Sequence, residues 1–185
     1  MIPFGVDRSY FHDVTVSRTI DILGVGSLNS IKNYIEFVEI IESVSMVFPG
    51  IRCRIIGEGT KRPEIEKIIK EKGLEDNIVL AGNLSYNKAI EEMQRGKIIL
   101  HTSTFEGQAL VITEALAAGL YVVSHPVGIA ATLKSEKLMT GDTKFDLANH
   151  TMQLLNEQDL DSTPEIHYTS DDTSREYNKI YLELL

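Results

Sequence analysis

Short apolar runs alternate along the chain with longer stretches in which apolar residues recur every three or four positions. Such runs are typical of buried strands, and such stretches are typical of amphipathic helices. Strands are predicted at residues 20–25, 53–56, 78–81, 98–100 and 120–124, and helices at 31–48, 63–72, 88–95, 108–118, 143–156 and 169–185. The alternation of strand and helix predicts an α/β fold, a doubly wound and mostly parallel sheet of about six strands flanked by helices.

The helix predicted after the fourth strand has unusual ends. We expect Gly107 at its N-cap and Gly119 just beyond its C-terminus, because glycine is accepted at the first position and favoured at the second. No Ser, Thr, Asp or Asn stands at the predicted cap to satisfy the first N–H groups. A helix start of this kind favours an anion such as phosphate.

Two carboxylates flank this helix start. Glu106 precedes the helix and Glu114 lies roughly 12 Å further on, if the rise per residue is helical throughout. That separation matches a sugar nucleotide, with sugar hydroxyls on one carboxylate, ribose hydroxyls on the other and the diphosphate between them. The alternative is two solvated surface charges, which is the common role of Glu on an amphipathic helix. The flanking strands favour binding, because open parallel sheets bind ligands at the carboxyl ends of their strands.

Residues 101–128 carry a resemblance to a known family. They contain Glu, seven residues and a second Glu, then a helix end rich in small residues and the strand Tyr-Val-Val-Ser. This pattern resembles the signature of the retaining glycosyltransferases of family 4, which have the GT-B architecture of two Rossmann-like domains. The resemblance extends over nearly the whole chain and implies a Rossmann-like fold.

The resemblance also implies roles for individual residues. Glu106 would bind donor-sugar hydroxyls at the catalytic centre, and Glu114 would bind the ribose. The N–H groups of Gln108, Ala109 and Leu110 would stabilise the leaving diphosphate. Gln108-Ala109 stands where the family commonly has Phe-Gly, a departure that bears on the sugar pocket.

The loop after the first strand also matches the family in part. The family has Gly-Arg-Leu there and a Lys further on, and its Arg and Lys bind the diphosphate. Here the loop begins Gly26-Ser27 and retains Lys32, so Lys32 is the expected diphosphate-binding and catalytic cation. Ser27 cannot supply the bidentate, permanently charged contact of an Arg. After the third strand, Asn83 and Leu84 occupy the place where the family lays its backbone against the nucleotide base.

The two ends of the chain resemble the segments that link the domains of these enzymes. Residues 1–19 resemble the interdomain entry, with Phe4 in place of the usual Asn. Residues 165–185 resemble the closing helix, with Tyr177, Ile180, Tyr181 and Leu184 on its apolar face. We therefore expect one domain over residues 1–185, the C-terminal half of a GT-B protein without its N-terminal acceptor domain, whether as a natural short protein or as a fragment.

Several weaker signals favour structural roles. Gly57-Glu58-Gly59 after the second strand is explained by a tight turn as well as by a phosphate loop. His101 ends a strand, where a packed or hydrogen-bonded side chain is commoner than a catalytic base. Cys53 falls in a predicted strand and indicates a buried thiol. The Asp-Leu-Asp motif at 159–161 follows a helix rather than a strand, so we do not interpret it as a metal site.

Composition sets the remaining limits. The net charge of −9 argues against a nucleic-acid partner, which requires a basic surface. The hydrophobic fraction of 43% is typical of a soluble globular protein, and one cysteine cannot form an internal disulfide. No apolar run approaches membrane-spanning length and no signal peptide is recognisable, so a cytoplasmic location is expected. Peripheral membrane association of a longer protein is compatible with the resemblance.

These observations lead to one functional prediction and two alternatives. We predict the donor-binding half of a retaining, metal-independent glycosyltransferase that uses a UDP- or GDP-sugar and no cofactor. Its acceptor, a glycan or a lipid-linked sugar, would bind the missing domain, so the chain alone should transfer little. Ser27 and the missing half leave open a non-catalytic nucleotide-sugar-binding module. A sugar-nucleotide epimerase of the same architecture is the other alternative, although its His-rich pattern is not recognisable here.

Overall fold

The fold is built on one parallel sheet. It is seen in a computed structural model that describes residue 2, residues 4–11 and residues 16–183. The strands are β1 (Ile20–Val25), β2 (Cys53–Ile56), β3 (Ile78–Gly82), β4 (Gly96–His101), β5 (Tyr121–Ser124) and β6 (Leu138–Thr140). They lie in the order β3-β2-β1-β4-β5-β6, and every neighbouring pair is parallel. This is the Rossmann order, so the predicted fold class is confirmed.

Helices cover both faces of the sheet. They are α1 (Tyr34–Ser45), α2 (Arg62–Glu71), α3 (Tyr86–Gln94), α4 (Leu110–Ala117), α5 (Lys144–Asn156) and α6 (Ser170–Glu183). Successive strand residues point to opposite faces. Ile22 therefore packs in the core under α1, α2 and α5, whereas Leu23 packs in the core under α3 and α4. The two cores make the sheet doubly wound, as the sequence predicts.

Two helices begin two or more residues later than predicted. α1 begins at Tyr34 rather than at residue 31, and its N-cap is Asn33 in the left-handed conformation, with φ 50°. The preceding residues are held in a turn instead, because the Asn29 side chain accepts from the N–H of Lys32 and the carbonyl of Ile31 accepts from the N–H of Thr104. Contacts to another loop thus override local helix propensity.

The start of α4 is corrected in the same way. Ala109, with φ 60° and ψ 60°, is the N-cap, and the predicted cap at Gly107 is wrong. The carbonyl of Gln108 accepts from the N–H of Ile129, which fixes residue 108 outside the helix. Gly119 ends the helix with φ +77°, as predicted. The interval between Glu106 and Glu114 is therefore only half helical, and the assumption behind a separation of roughly 12 Å does not hold.

The sixth strand and the last two helices are the remaining elements in which prediction and structure can be compared. β6 is three residues long and was not located from the sequence. The predicted helix at 143–156 is confirmed as α5, with Thr143 as N-cap in a capping box with Asp146. In α6 three residues of the predicted apolar face, Tyr177, Ile180 and Tyr181, are exposed, and the fourth, Leu184, lies outside the described residues.

The two chain ends run side by side. Val6 forms a parallel bridge with Thr169, and its N–H and carbonyl pair with the backbone of Tyr168 and Ser170 at 3.0 Å each. Met1, Pro3 and residues 12–15 of the predicted entry segment lie outside the described residues. Within the described ranges, no helix has the length and apolar character needed to cross a bilayer.

Glycines let the loops after β1 and β2 pack backbone against backbone. Gly57 has φ +146°, and a Cβ there would lie 1.9 Å from the carbonyl oxygen of Gly26. A Cβ on Gly59 would lie 2.4 Å from the carbonyl oxygen of Leu28. The Gly-Glu-Gly segment therefore serves a close approach of two loops, which agrees with its interpretation as a turn.

Candidate functional site

The candidate site lies where the strand order reverses, in the crevice between β1 and β4. The loop after β1 is held to the loop after β4, because the Thr102 hydroxyl donates to the carbonyl of Lys32 at 2.9 Å. Gly26 lies directly beside the Lys32 side chain, since a Cβ there would be 2.9 Å from its Cε. Ser27 is exposed next to it. The carboxyl end of β1 thus presents Ser27 and Lys32 beside the loop after β4, at one edge of the sheet.

Lys32 and Glu106 form an ion pair across this crevice. The Nζ of Lys32 lies 2.5 Å from the Oε1 of Glu106, and the two side chains are 20% and 16% exposed. Burial alone would raise the pKa of Glu106, but the hydrogen bond and the charge of Lys32 outweigh it and leave the pKa below its usual value. At neutral pH the site therefore holds one anion and one cation in direct contact.

His101 lies beneath this pair and is buried. Its Nδ1 is 3.0 Å from the hydroxyl oxygen of Ser124, and its Nε2 is 3.3 Å from the Oε1 of Glu106. Burial, followed by the charge of Lys32, lowers the pKa of His101 to about 4, so the ring is neutral at pH 7. The predicted packed, hydrogen-bonded histidine is confirmed, whereas its contact with Glu106 had no signal in the sequence.

Glu114 is buried at the other side of the site. Its residue is 8% exposed, and the Tyr86 hydroxyl donates to its Oε1 at 2.9 Å. Burial raises the pKa of this carboxyl, and the hydrogen bond from Tyr86 only partly offsets that effect. Tyr86 in turn packs edge-on against Tyr10, with ring centroids 5.1 Å apart. The interpretation of both glutamates as solvated surface charges is therefore wrong.

The segment 107–110 connects the two glutamates. Gly107 and Leu110 are exposed, and Ala109 is buried as the left-handed cap of α4. Within the described residues no side chain caps this helix, so its first N–H groups have no side-chain acceptor. The Gln108 side chain is engaged elsewhere: it accepts from the N–H of Phe4 at 2.7 Å and donates to the carbonyl of Ile2 at 3.0 Å.

Asn83 and Leu84 are more loosely connected to the site. Asn83 is exposed after β3, and Leu84 packs against the core under α3 and α4. Among the described side chains, neither residue hydrogen-bonds to the Lys32–Glu106 pair. They are linked to the site through Tyr86, two residues after Leu84, whose hydroxyl donates to Glu114. Tyr86 is a site residue that the sequence analysis missed, and a tyrosine at a helix start gives no distinctive signal.

The weaker sequence signals have structural explanations. Asp161 is exposed, and its carboxylate accepts from Thr163 and lies 3.1 Å from the Nζ of Lys137. In the ranges 4–11 and 16–183, no three His, Cys, Asp or Glu side chains are grouped so as to hold a metal ion. Cys53 is buried in the core, and burial raises the pKa of its thiol.

Comparison with known proteins settles the family. The model of the family described as "Glycosyl transferases group 1" matches residues 12–163. The chain belongs to the group 1 glycosyltransferases. The fold of this group 1 domain is similar to that of the C-terminal domain of a group 1 glycosyltransferase from Francisella tularensis, with a TM-score of 0.74 and 21% identity. That similarity covers 94% of this chain and 98% of the other. The predicted resemblance to the C-terminal half of a GT-B enzyme is confirmed.

Two further proteins show the range of relatives. The gpi3 subunit of phosphatidylinositol N-acetylglucosaminyltransferase from Schizosaccharomyces pombe is 32% identical over 126 residues, which are 68% of this chain and 26% of that protein. A mutant of Staphylococcus aureus TarM, crystallised with fondaparinux, α-GlcNAc-glycerol and UDP, has a TM-score of 0.72 and 24% identity. This similarity covers 92% of the group 1 domain and 34% of TarM. The chain thus spans about a third or less of these two longer proteins.

Proposed function

We propose that this domain binds a nucleotide-activated sugar and forms the donor half of a retaining, metal-independent glycosyltransferase. The observation that carries the proposal is the Lys32–Glu106 pair at the strand-order reversal, beside the uncapped start of α4. A cation and a set of backbone N–H groups suit a diphosphate, and a carboxylate suits sugar hydroxyls. Names of relatives that act with N-acetylglucosamine or were crystallised with UDP support the same ligand class.

Each group has a distinct role in the proposed transfer. Glu106 accepts hydrogen bonds from donor-sugar hydroxyls, and Glu114 accepts them from the ribose. Lys32 and the N–H groups of residues 108–110 stabilise the charge that develops on the leaving diphosphate, so no metal is required for that purpose. The nucleobase lies against the backbone of Asn83 and Leu84. The acceptor, a glycan or a lipid-linked sugar, binds a second domain of a longer protein.

Calorimetry of nucleotide binding tests this proposal. Without Mg²⁺ and with a chelator present, the 185-residue chain should bind at least one of UDP, GDP and ADP with a Kd of about 0.1–1 mM, since about 4–5.5 kcal/mol is available from a partial site. Lys32→Met should abolish that binding. The matched control Lys67→Met removes an exposed lysine of α2 and should leave it unchanged. If none of the three nucleotides binds at millimolar concentration, the donor-site proposal is wrong.

A non-catalytic nucleotide-sugar-binding module is the second candidate function. The observation that favours it is Ser27, which is exposed beside Lys32 and supplies no charge where the family has an Arg. The two candidates share the same binding site and differ in turnover. Joined to an acceptor domain of a group 1 relative, a catalytic domain should transfer sugar, and a binding module should not.

Ser27→Arg is expected to tighten UDP binding by roughly 5- to 150-fold, the equivalent of about 1–3 kcal/mol for a charged hydrogen bond. Ser27 is exposed and adjacent to Gly26, whose Cα lies against Lys32, so an Arg there can reach the same diphosphate. The gain should shrink as salt rises. Ser30→Arg, an exposed position in the same loop, is the control for added charge. Equal affinities for both variants would show that position 27 does not face the phosphates.

A further inference from the structure

Lys32 and Glu106 form an ion pair with each other, although the proposed function needs both for the ligand. The Nζ of Lys32 is 2.5 Å from Glu106, the distance of a tight charge-assisted hydrogen bond. A diphosphate that recruits Lys32 must therefore draw it away from Glu106. Unless another group replaces the cation, a carboxylate that is only 16% exposed then keeps the uncharged Ser103 hydroxyl but loses its cationic partner just as the sugar hydroxyls arrive.

Among the described residues that contact Glu106, the group other than Lys32 that can carry a positive charge is His101. The Ser124 hydroxyl lies 2.7 Å from the carbonyl oxygen of His125, and because a carbonyl has no proton, Ser124 is the donor in that bond. Ser124 has no second proton, so its contact with His101 must be donated by Nδ1–H. The neutral ring therefore carries its lone pair on Nε2, which points at Glu106 from 3.3 Å. That buried nitrogen has no hydrogen-bond partner among the described residues.

Burial and the charges around His101 explain why its Nε2 carries no proton. Lys32 faces the ring from the loop before α1, Glu106 from the loop after β4 and His125 from the loop after β5. Tyr34 of α1 also lies within the field of Glu106, which with burial raises its pKa, so it stays neutral. Lys32 and Glu106 oppose each other, and burial decides in favour of the neutral ring. If Lys32 moves away from His101, a positive charge that disfavours protonation of the ring is removed. An arriving diphosphate adds negative charge, and both changes favour the imidazolium form of His101.

We propose that His101 is a positioning residue of the donor site, which takes a proton on Nε2 when a sugar nucleotide draws Lys32 to its diphosphate. The new Nε2–H donates to Glu106 and holds the carboxylate toward the sugar hydroxyls. The proton comes from solvent and adds to the Nε2 lone pair, so the balanced reaction is domain plus sugar nucleotide plus one proton giving the protonated complex. This inference rests on the proposed donor function.

Proton uptake on binding is the direct test. UDP-GlcNAc, UDP-glucose and GDP-mannose are suitable probes, because their diphosphates are diesters with no titrating group between about pH 5 and 8. The binding enthalpy is measured by calorimetry near pH 6.5 in buffers of different ionisation enthalpy. We expect uptake of roughly 0.3–1 proton per ligand, since the ordinary histidine pKa is about 6.5. Affinity should rise as the pH falls from about 7.5 to 5.5, because the complex binds more protons than the free domain.

Variants assign the proton to His101. His101→Asn keeps a donor toward Ser124 but cannot ionise, and His101→Gln keeps an amide near Glu106, so proton uptake should vanish in both. His150→Asn, at a histidine of α5 that contacts the carbonyl of Thr140, should leave the uptake intact. The imidazole ¹⁵N spectrum of the unmodified chain needs no variant. It should show the Nδ1–H tautomer of His101 without ligand and the imidazolium with it.

The outcomes separate this inference from the donor function. Binding of a probe without proton uptake by the unmodified chain would leave the donor function standing and overturn the role of His101. Uptake that persists in folded His101→Asn, or an unchanged His101 spectrum, would also overturn it. Failure of all three sugar nucleotides to bind, together with failure of UDP, GDP and ADP, would instead contradict the donor function, and this inference with it.

Discussion

Glu106→Gln is expected to weaken binding of UDP-GlcNAc by roughly 10- to 150-fold, while UDP itself binds as tightly as before or more tightly. A hydrogen bond to a charged group contributes about 1.5–3 kcal/mol, and the amide removes the charge and one acceptor from the sugar. UDP has no sugar, and the change frees Lys32 from its 2.5 Å ion pair for the diphosphate. Calorimetry with both ligands on the same protein preparation measures the two effects.

Glu114→Gln is the matched comparison and should behave differently. It should weaken UDP and UDP-GlcNAc by a similar factor, because both contain the ribose. It should also raise the melting temperature. Burial raises the pKa of Glu114, which means that the ionised carboxylate destabilises the folded state, and the neutral amide of Gln removes that cost. Glu106→Gln should lower the melting temperature. The pKa of Glu106 is depressed, so its stabilising contribution is present above the unfolded-state pKa and is lost as pH falls through the folded-state pKa.

The pattern across the two variants decides the roles. Loss of both ligands in both variants, with lower melting temperatures, would indicate that the glutamates maintain the fold and do not divide the ligand between them. Unchanged affinities in both would show that neither contacts the donor. The proposed site is supported only if Glu106→Gln weakens binding of UDP-GlcNAc but not of UDP, and Glu114→Gln weakens binding of both ligands.

Gly57→Ala is expected to lower the free energy of unfolding by about 2–5 kcal/mol, the sum of backbone strain and overpacking. Gly57 has φ +146°, and the added Cβ would lie 1.9 Å from the carbonyl oxygen of Gly26, which is backbone and cannot rotate away. Denaturant unfolding measures the change. The relieving movement displaces the loop that carries Ser27 and Lys32, so UDP affinity should fall with stability.

Gly50→Ala is the control for this substitution. Gly50 lies in the loop before β2, and a Cβ there would meet no atom within 4 Å. Its effect should stay within about 0.5 kcal/mol, as for most surface substitutions. An equal effect at both positions would show that the close approach of the two loops does not constrain residue 57.

The sequence by itself determined the elements and their alternation. The bounds of β1 and β2 agree with prediction residue for residue, because each is a mostly apolar run followed directly by a glycine, Gly26 or Gly57. The range of α5 was also predicted to within one residue, and its start depends on a local contact between Thr143 and Asp146, three positions apart. The spacing of Glu106 and Glu114 and the retained Lys32 were enough to propose these three residues for a binding site, and their roles stay predictions.

The tertiary structure alone decided how those residues meet. Lys32 and Glu106 are 74 positions apart, Tyr86 and Glu114 are 28 apart, and His101 and Ser124 are 23 apart. It also decided the late starts of α1 and α4, where contacts between loops replaced the first helical turn. The physical reason is that periodicity and capping encode contacts within one element. Contacts between elements depend on strand order and on the loops that the order brings together, and these are set only when the whole sheet is assembled.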